Sequence, residues 1–185
     1  MLFNSLEYLF VFLPIIFIIY FSLNKMKFYK TAKVFMLIAS LYFYGRYKWE
    51  YVYIIIVSIL LNYIVVYIMK YSINEKRRKL ILILGILANI SILVFFKYFN
   101  CVYEVIRHLS MGIFNEIEII IPIGINFFTL QQISYIVDAY KKKFDNYNFV
   151  EYALFICFFP QLLAGPIVRH QEMIPQFNNI KKTFI

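Results

Sequence analysis

IPIGINFFTLQQISYIVDAY (residues 121–140) and FFPQLLAGPIVRH (residues 158–170) are both apolar enough to lie in a membrane, yet they carry Gln131, Gln132, Asp138, Gln161 and Arg169. A hydrocarbon core penalises such groups heavily unless they face other helices or a wet cavity. The two stretches therefore predict a bundle of helices with a polar interior site or passage, and exclude a simple anchor.

The remainder of the chain agrees. Hydrophobic residues make up 63% of the 185 positions and charged residues 16%, well below the roughly 25% of soluble domains. This composition reads as an all-α, polytopic integral membrane protein with about six transmembrane or re-entrant helices. Apolar segments fall at 2–23, 32–47, 51–69, 80–97, 117–138 and 152–168, to be compared with about 20 residues for a full crossing. The second is the weakest, because its uninterrupted apolar core covers only 34–44; it reads as a short tilted span or as half of a helical hairpin. The stretch 102–115 has mixed polarity and predicts an interfacial helix, with Met111, Ile113 and Phe114 toward lipid and Glu104 and Arg107 toward water.

A net charge of +9 would suggest nucleic acid in a soluble chain, but here the basic residues sit in short loops between apolar segments, so lipid head groups are the expected partners and nucleic acid is not. The loops after the first, third and fifth segments hold Lys25, Lys27, Lys30 and Lys33, then Lys70, Lys76, Arg77, Arg78 and Lys79, then Lys141, Lys142 and Lys143. The other side is expected to hold Arg46, Lys48, Lys97, Arg107, Arg169, Lys181 and Lys182. By the positive-inside rule the first set is cytoplasmic and the amino terminus lies outside. The first segment reads as a retained span, since Glu7 is the only charge before its apolar run and no small-residue cleavage site follows. Cys101 and Cys157 lack metal-ligand spacing and read as packing residues. No GxGxxG, P-loop or HExxH is present, so no nucleotide or metal site is expected.

Four ordered motifs carry more. LIASLYFYGRYKWEYVYIIIVSILLNYIVVYI (37–68), FFKYFN (95–100), IPIGINFFTLQQISYIVDAYKKK (121–143) and FFPQLLAGPIVRHQEMIPQF (158–177) together resemble the membrane-bound O-acyltransferase family. The nearest branch holds the alginate O-acetylation proteins, the peptidoglycan O-acetyltransferases and the teichoic acid D-alanyl transfer protein. The resemblance implies a multi-pass protein of the bacterial cytoplasmic membrane. It would move an acyl group, most simply acetyl, from a cytoplasmic donor (acetyl-CoA or an acyl carrier) through a tunnel to a hydroxyl of a cell-surface polysaccharide or peptidoglycan. It also implies an extracytoplasmic acetyltransferase partner and no bound cofactor. Family members are longer, and their catalytic histidine lies on a later helix. The expectation is therefore that residues 1–185 form the amino-terminal part of such a domain, with no catalytic residue of their own and no activity alone. Two other readings stay open: a transporter, and a non-catalytic membrane subunit.

The candidate tunnel or substrate residues follow from spacing. Gln131, Tyr135 and Asp138 recur four and three apart and share one helical face; Asn126, Thr129 and Gln132 form a second strip beside it. Interhelical hydrogen bonding explains such faces as well as tunnel lining does. Pro122 and Gly124 start or kink this helix. Pro160, Gly165 and Pro166 predict a broken or re-entrant sixth segment, where Gln161 and Arg169 can donate to an ester or phosphate. Arg169 reads equally as an interfacial anchor. His170 is expected at the outer end of that segment, either as a plain interfacial histidine or in contact with an acceptor sugar, and His108 is expected on the surface. The many Tyr and Phe side chains read as interfacial belt and packing residues.

Overall fold

A computed structural model describes residues 5–109, 119–143, 147–162 and 168–183. Among the described residues every regular element is helical. A π-helical turn, Tyr8–Phe12, leads into α1 (Leu13–Lys25); α2 (Tyr29–Gly45), α3 (Trp49–Tyr71), α4 (Glu75–Leu109), α5 (Ile125–Tyr140), α6 (Phe149–Cys157), α7 (Phe159–Leu162) and α8 (His170–Thr183) follow.

The helices Tyr8–Lys25, Trp49–Tyr71 and Glu75–Leu109 are long and apolar enough to cross a membrane. The burial pattern of the third is inverted relative to a soluble protein. The only buried residues of α4 are Gly85 and Asn89, while Leu80, Leu84, Leu87, Val94 and Phe95 are exposed. Polar groups inward and apolar groups outward is the arrangement that a hydrocarbon solvent selects, so this is a multi-pass membrane protein. α4 has 35 residues, about 52 Å at 1.5 Å per residue, and overshoots a core of about 30 Å. It runs unbroken to Leu109, so residues 102–109 are a continuation of the fourth helix and not a separate interfacial one. Met111, Ile113 and Phe114 lie outside the described residues.

The fifth and sixth apolar segments are shorter as helices than as hydrophobic runs. Gly124, at φ 77°, occupies the N-cap of α5, a left-handed position that glycine adopts without strain. The peptide after Pro122 turns there, and α5 keeps 16 residues. The sixth segment breaks at Phe158, where ψ of 107° leaves the helical region between α6 and α7. The Phe159 N–H released by that break is donated to the Ser40 hydroxyl on α2, at 3.4 Å. The expected broken helix is therefore present in its described part; Gly165 and Pro166 lie outside the described residues.

α3 lies at the centre, packed against α2, α4, α5 and α6, and the buried cluster around Ile55, Val66, Phe128, Ile136 and Phe155 fills the space between them. A second cluster of Phe12, Ile16, Met36, Phe43 and Phe159 joins α1 and α2 to the α6–α7 break. Bonds between helix ends define two ends of the bundle. At one, Lys33 pairs with Glu151, and Arg78 donates to the Tyr140 carbonyl at 2.8 Å. At the other, Arg46 pairs with Glu7 at 3.3 Å, and Tyr51 donates to the Ile120 carbonyl at 2.6 Å. The first gathers the three lysine-bearing loops that follow α1, α3 and α5.

Candidate functional site

At the lysine-rich end, the last turn of α5 aims Asp138 at the start of α8. The carboxylate accepts from Lys143 Nζ at 3.0 Å through Oδ1 and from His170 Nε2 at 3.1 Å through Oδ2. An imidazole that donates from Nε2 in its neutral form keeps Nδ1 as an acceptor, and the Tyr147 hydroxyl lies 3.4 Å from it. Aromatic rings enclose the group. The edge of Tyr135 meets the imidazole with centroids 5.5 Å apart, and Tyr135 in turn stacks on Tyr152 at 4.2 Å. His170 is 1% exposed. Burial, which disfavours the charged ring, pulls its pKa below the usual value although the Asp138 carboxylate works in the opposite direction.

Two turns deeper, Gln132 anchors a second polar group. Its Oε1 accepts from the Ser58 hydroxyl at 2.7 Å and from Asn62 Nδ2 at 3.0 Å. Asn62 and Asn89 exchange amide bonds at 3.1 and 2.6 Å, so α3, α4 and α5 are tied by side chains at a depth where apolar residues face outward. Gly85 permits this approach: a Cβ there would stand 2.9 Å from Val65 Cγ1 and 3.4 Å from Ile136 Cδ1. The Gln132 Nε2 and the Tyr152 hydroxyl are buried and make no hydrogen bond among the described residues. Each is a donor turned into the protein interior.

Of the residues singled out from spacing, Gln131, Gln132, Tyr135 and Asp138 are all buried, on adjoining strips of α5. Gln161 is buried on α7 and its N–H donates to the Phe158 carbonyl at 3.0 Å. The second strip stops short, since Thr129 is buried with Gln132 but Asn126 is exposed. Two placements are corrected. His170 and Arg169 were expected at the outer end of a crossing sixth segment, but His170 bonds Asp138, whose other oxygen holds a lysine of the 141–143 loop. α6 starts at this same end, where Glu151 pairs with Lys33, and Asn178 on α8 also takes a bond from Lys33. Residues 149–170 thus begin and finish at the lysine-rich end. Arg169 is exposed there and faces the basic side. Cys157 is buried as expected, whereas Cys101 is exposed on α4. His108 is exposed, as expected.

Ser58, Asn62, Asn89, Tyr147 and Lys143 were not among the spacing-derived candidates. Ser58 and Asn62 are four apart in an apolar run, and Asn89 follows Gly85 by four in another, which is a legible signal of one polar face on each of two spans. Nothing in the sequence says that the two faces meet.

Comparison with known proteins adds kinship. The chain is 35% identical to the peptidoglycan O-acetyltransferase of Helicobacter pylori, over 100% of this chain and 40% of that protein. It is 31% identical to the probable alginate O-acetylase AlgI of Pseudomonas aeruginosa and 32% to that of Pseudomonas syringae pv. tomato, each over 97% of this chain and 35% of the relative. The chain therefore spans well under half the length of these curated relatives. No family model matches it, and no solved structure does.

Proposed function

We infer that this chain, a relative along its whole length of O-acetyltransferases of the membrane-bound O-acyltransferase family, forms part of an enzyme that transfers an acyl group to a hydroxyl of a cell-surface polysaccharide or peptidoglycan. The similarity over 97–100% of the chain to proteins named for that reaction carries the reading. Acetyl is the simplest acyl group in keeping with those names.

In this reading the membrane is the bacterial cytoplasmic one, and the lysine-rich end is cytoplasmic with the amino terminus outside, because twelve Lys and Arg residues fall in or beside the three turns of that end. The donor, acetyl-CoA or an acyl carrier, arrives there. Asp138, His170 and Tyr135 form the mouth, with Arg169 at its rim offering a cation to a phosphate. Gln131, Gln132 and Gln161 line the way inward. The Gln132 Nε2, a buried donor with no bond among the described residues, suits the carbonyl oxygen of a passing ester. Acyl transfer needs a base beside the acceptor hydroxyl and donors for the developing oxyanion. The polar residues described here serve donor entry and positioning, and none is assigned as that base. An extracytoplasmic partner would receive the acyl group for delivery to the polymer.

The test is polymer acetylation in the native host. Deleting the gene should abolish ester-linked acetate released by mild alkali from the purified wall or capsule polymer, and a Gln132→Leu allele should lower it severalfold with the protein still in the membrane. Wild-type acetate in the deletion strain would reject the reading.

A further inference from the structure

An apolar groove of about 490 Å³ runs between α1 and the α6–α7 break, lined by Leu13, Phe17, Met36, Phe158 and Phe177 among others. At the lysine-rich end lies a polar recess of about 690 Å³ lined by Lys27, Lys30, Lys33, Glu151 and Asn178 among others. The two are neighbours along α2 and α8, which line both. Phe177 and Asn178 are consecutive on α8, and Met36 lies one turn below Lys33 on α2. Among the described residues that line the recess, three lysines stand against the one carboxylate of Glu151. Lys33 is committed to Glu151, while Lys27 and Lys30 are exposed and make no ion pair among the described residues. Lys27 takes a left-handed conformation, φ 63°, where α1 turns into α2, and the turn is closed by the Phe28 N–H on the Leu23 carbonyl at 2.9 Å.

We propose that this recess and groove together bind one anionic phospholipid, the phosphate between Lys27 and Lys30 and an acyl chain along Leu13, Phe17 and Phe177. Charge decides the occupant. A zwitterionic lipid would bring its own cation against two lysines that have no ion pair among the described residues, whereas an anionic head neutralises them at the depth where head groups reside. A soluble phosphate would meet the lysines but leave the apolar groove unfilled. The site lies on the α1–α2 side of the bundle and does not involve Asp138 or His170, so it stands whether or not the chain takes part in acyl transfer.

Native mass spectrometry of the purified protein with equimolar phosphatidylglycerol and phosphatidylcholine of matched chains tests it. One phosphatidylglycerol should be retained at least tenfold over phosphatidylcholine. At about 1 kcal/mol per basic residue near a membrane surface, K27Q/K30Q should weaken phosphatidylglycerol binding by about thirtyfold. K76Q/K79Q, which removes lysines from the α3–α4 corner of the same end, should leave it unchanged. Leu13→Trp, which fills the groove and keeps the lysines, should lower retention of both lipids. Equal retention of the two lipids by the wild type, equal loss in K76Q/K79Q, or displacement of the lipid by coenzyme A would overturn the proposal. The wild-type comparison decides even if a variant fails to fold.

Discussion

His170 shows how one side chain links stability to pH. Its imidazole is buried at the lysine-rich end, outside the spans, and faces the Asp138 carboxylate, the Tyr147 hydroxyl, the ring of Tyr135 and, through Asp138, the Lys143 ammonium. The folded-state pKa lies below the usual value, burial being the larger cause. The unfolded chain therefore takes up a proton first as pH falls, and stability is lost from about pH 6.5 downward, with no contribution above it. The melting temperature of the wild type should drop more between pH 7 and pH 5 than that of His170→Gln, which keeps a donor but does not titrate there; parallel curves would contradict this. Deeper in the bundle, Asn62 bonds Asn89, Gln132 and the Ser58 carbonyl at once. Asn62→Leu should cost about 1–2 kcal/mol, the upper range for such bonds in membranes, because it leaves Asn89 and Gln132 short of a partner each. N62L/N89L should cost less than the sum of the two single variants, since both remove the same paired amides. Unfolding titrations in mixed micelles measure all three, and strict additivity would mean that the amides do not act together.

Among elements, α4 depends on the absence of a side chain. Gly85 lets α4 approach α3 and α5 closely enough for Asn89 to reach Asn62, and Ala there would place a methyl 2.9 Å from Val65 Cγ1, which the β-branched side chain cannot easily yield. Gly85→Ala should cost about 1–3 kcal/mol by overpacking, and Gly85→Leu more, with Asn89 drawn away from Asn62. A stability equal to wild type in the alanine variant would show that the three helices have room to relax. The breaks of α5 and of the α6–α7 segment were legible, since Pro122, Gly124 and Pro160 each remove a donor or permit a backbone that a helix forbids. The shared face of Gln131, Tyr135 and Asp138 was legible for the same kind of reason: helical spacing fixes which residues align. What spacing does not give is the partner. That Asp138 meets a histidine 32 positions later, or that Ser40 receives the N–H freed at Phe159, depends on how helices distant in sequence pack.

For the whole molecule, the distribution of charge was read correctly for the first five segments and misread after the sixth, and the cause is parity. Assigning loops alternately to two sides assumes that each apolar segment crosses, and a segment that enters and returns reverses the side of everything after it. Residues 158–170 contain the prolines that signal such a return, but apolar length alone counts them as a span. With His170 bonded to Asp138, Arg169 joins the lysine-rich end, and Arg46, Lys48, Lys97 and Arg107 remain as the described basic residues of the other. The charge asymmetry becomes steeper, which is what the positive-inside rule favours. Single cysteines placed on a Cys101→Ser background test this directly, Cys157 being buried and inert to a bulky reagent. An impermeant maleimide applied to intact cells should label Arg46→Cys and spare Lys141→Cys and Arg169→Cys; after permeabilisation all three should react. If Arg169→Cys reacts in intact cells together with Arg46→Cys, the sixth segment crosses, Asp138 and His170 cannot meet, and the mouth assigned to them does not exist. If it reacts only with Lys141→Cys, the histidine is held on the side where the donor is proposed to enter, as its bond to Asp138 requires.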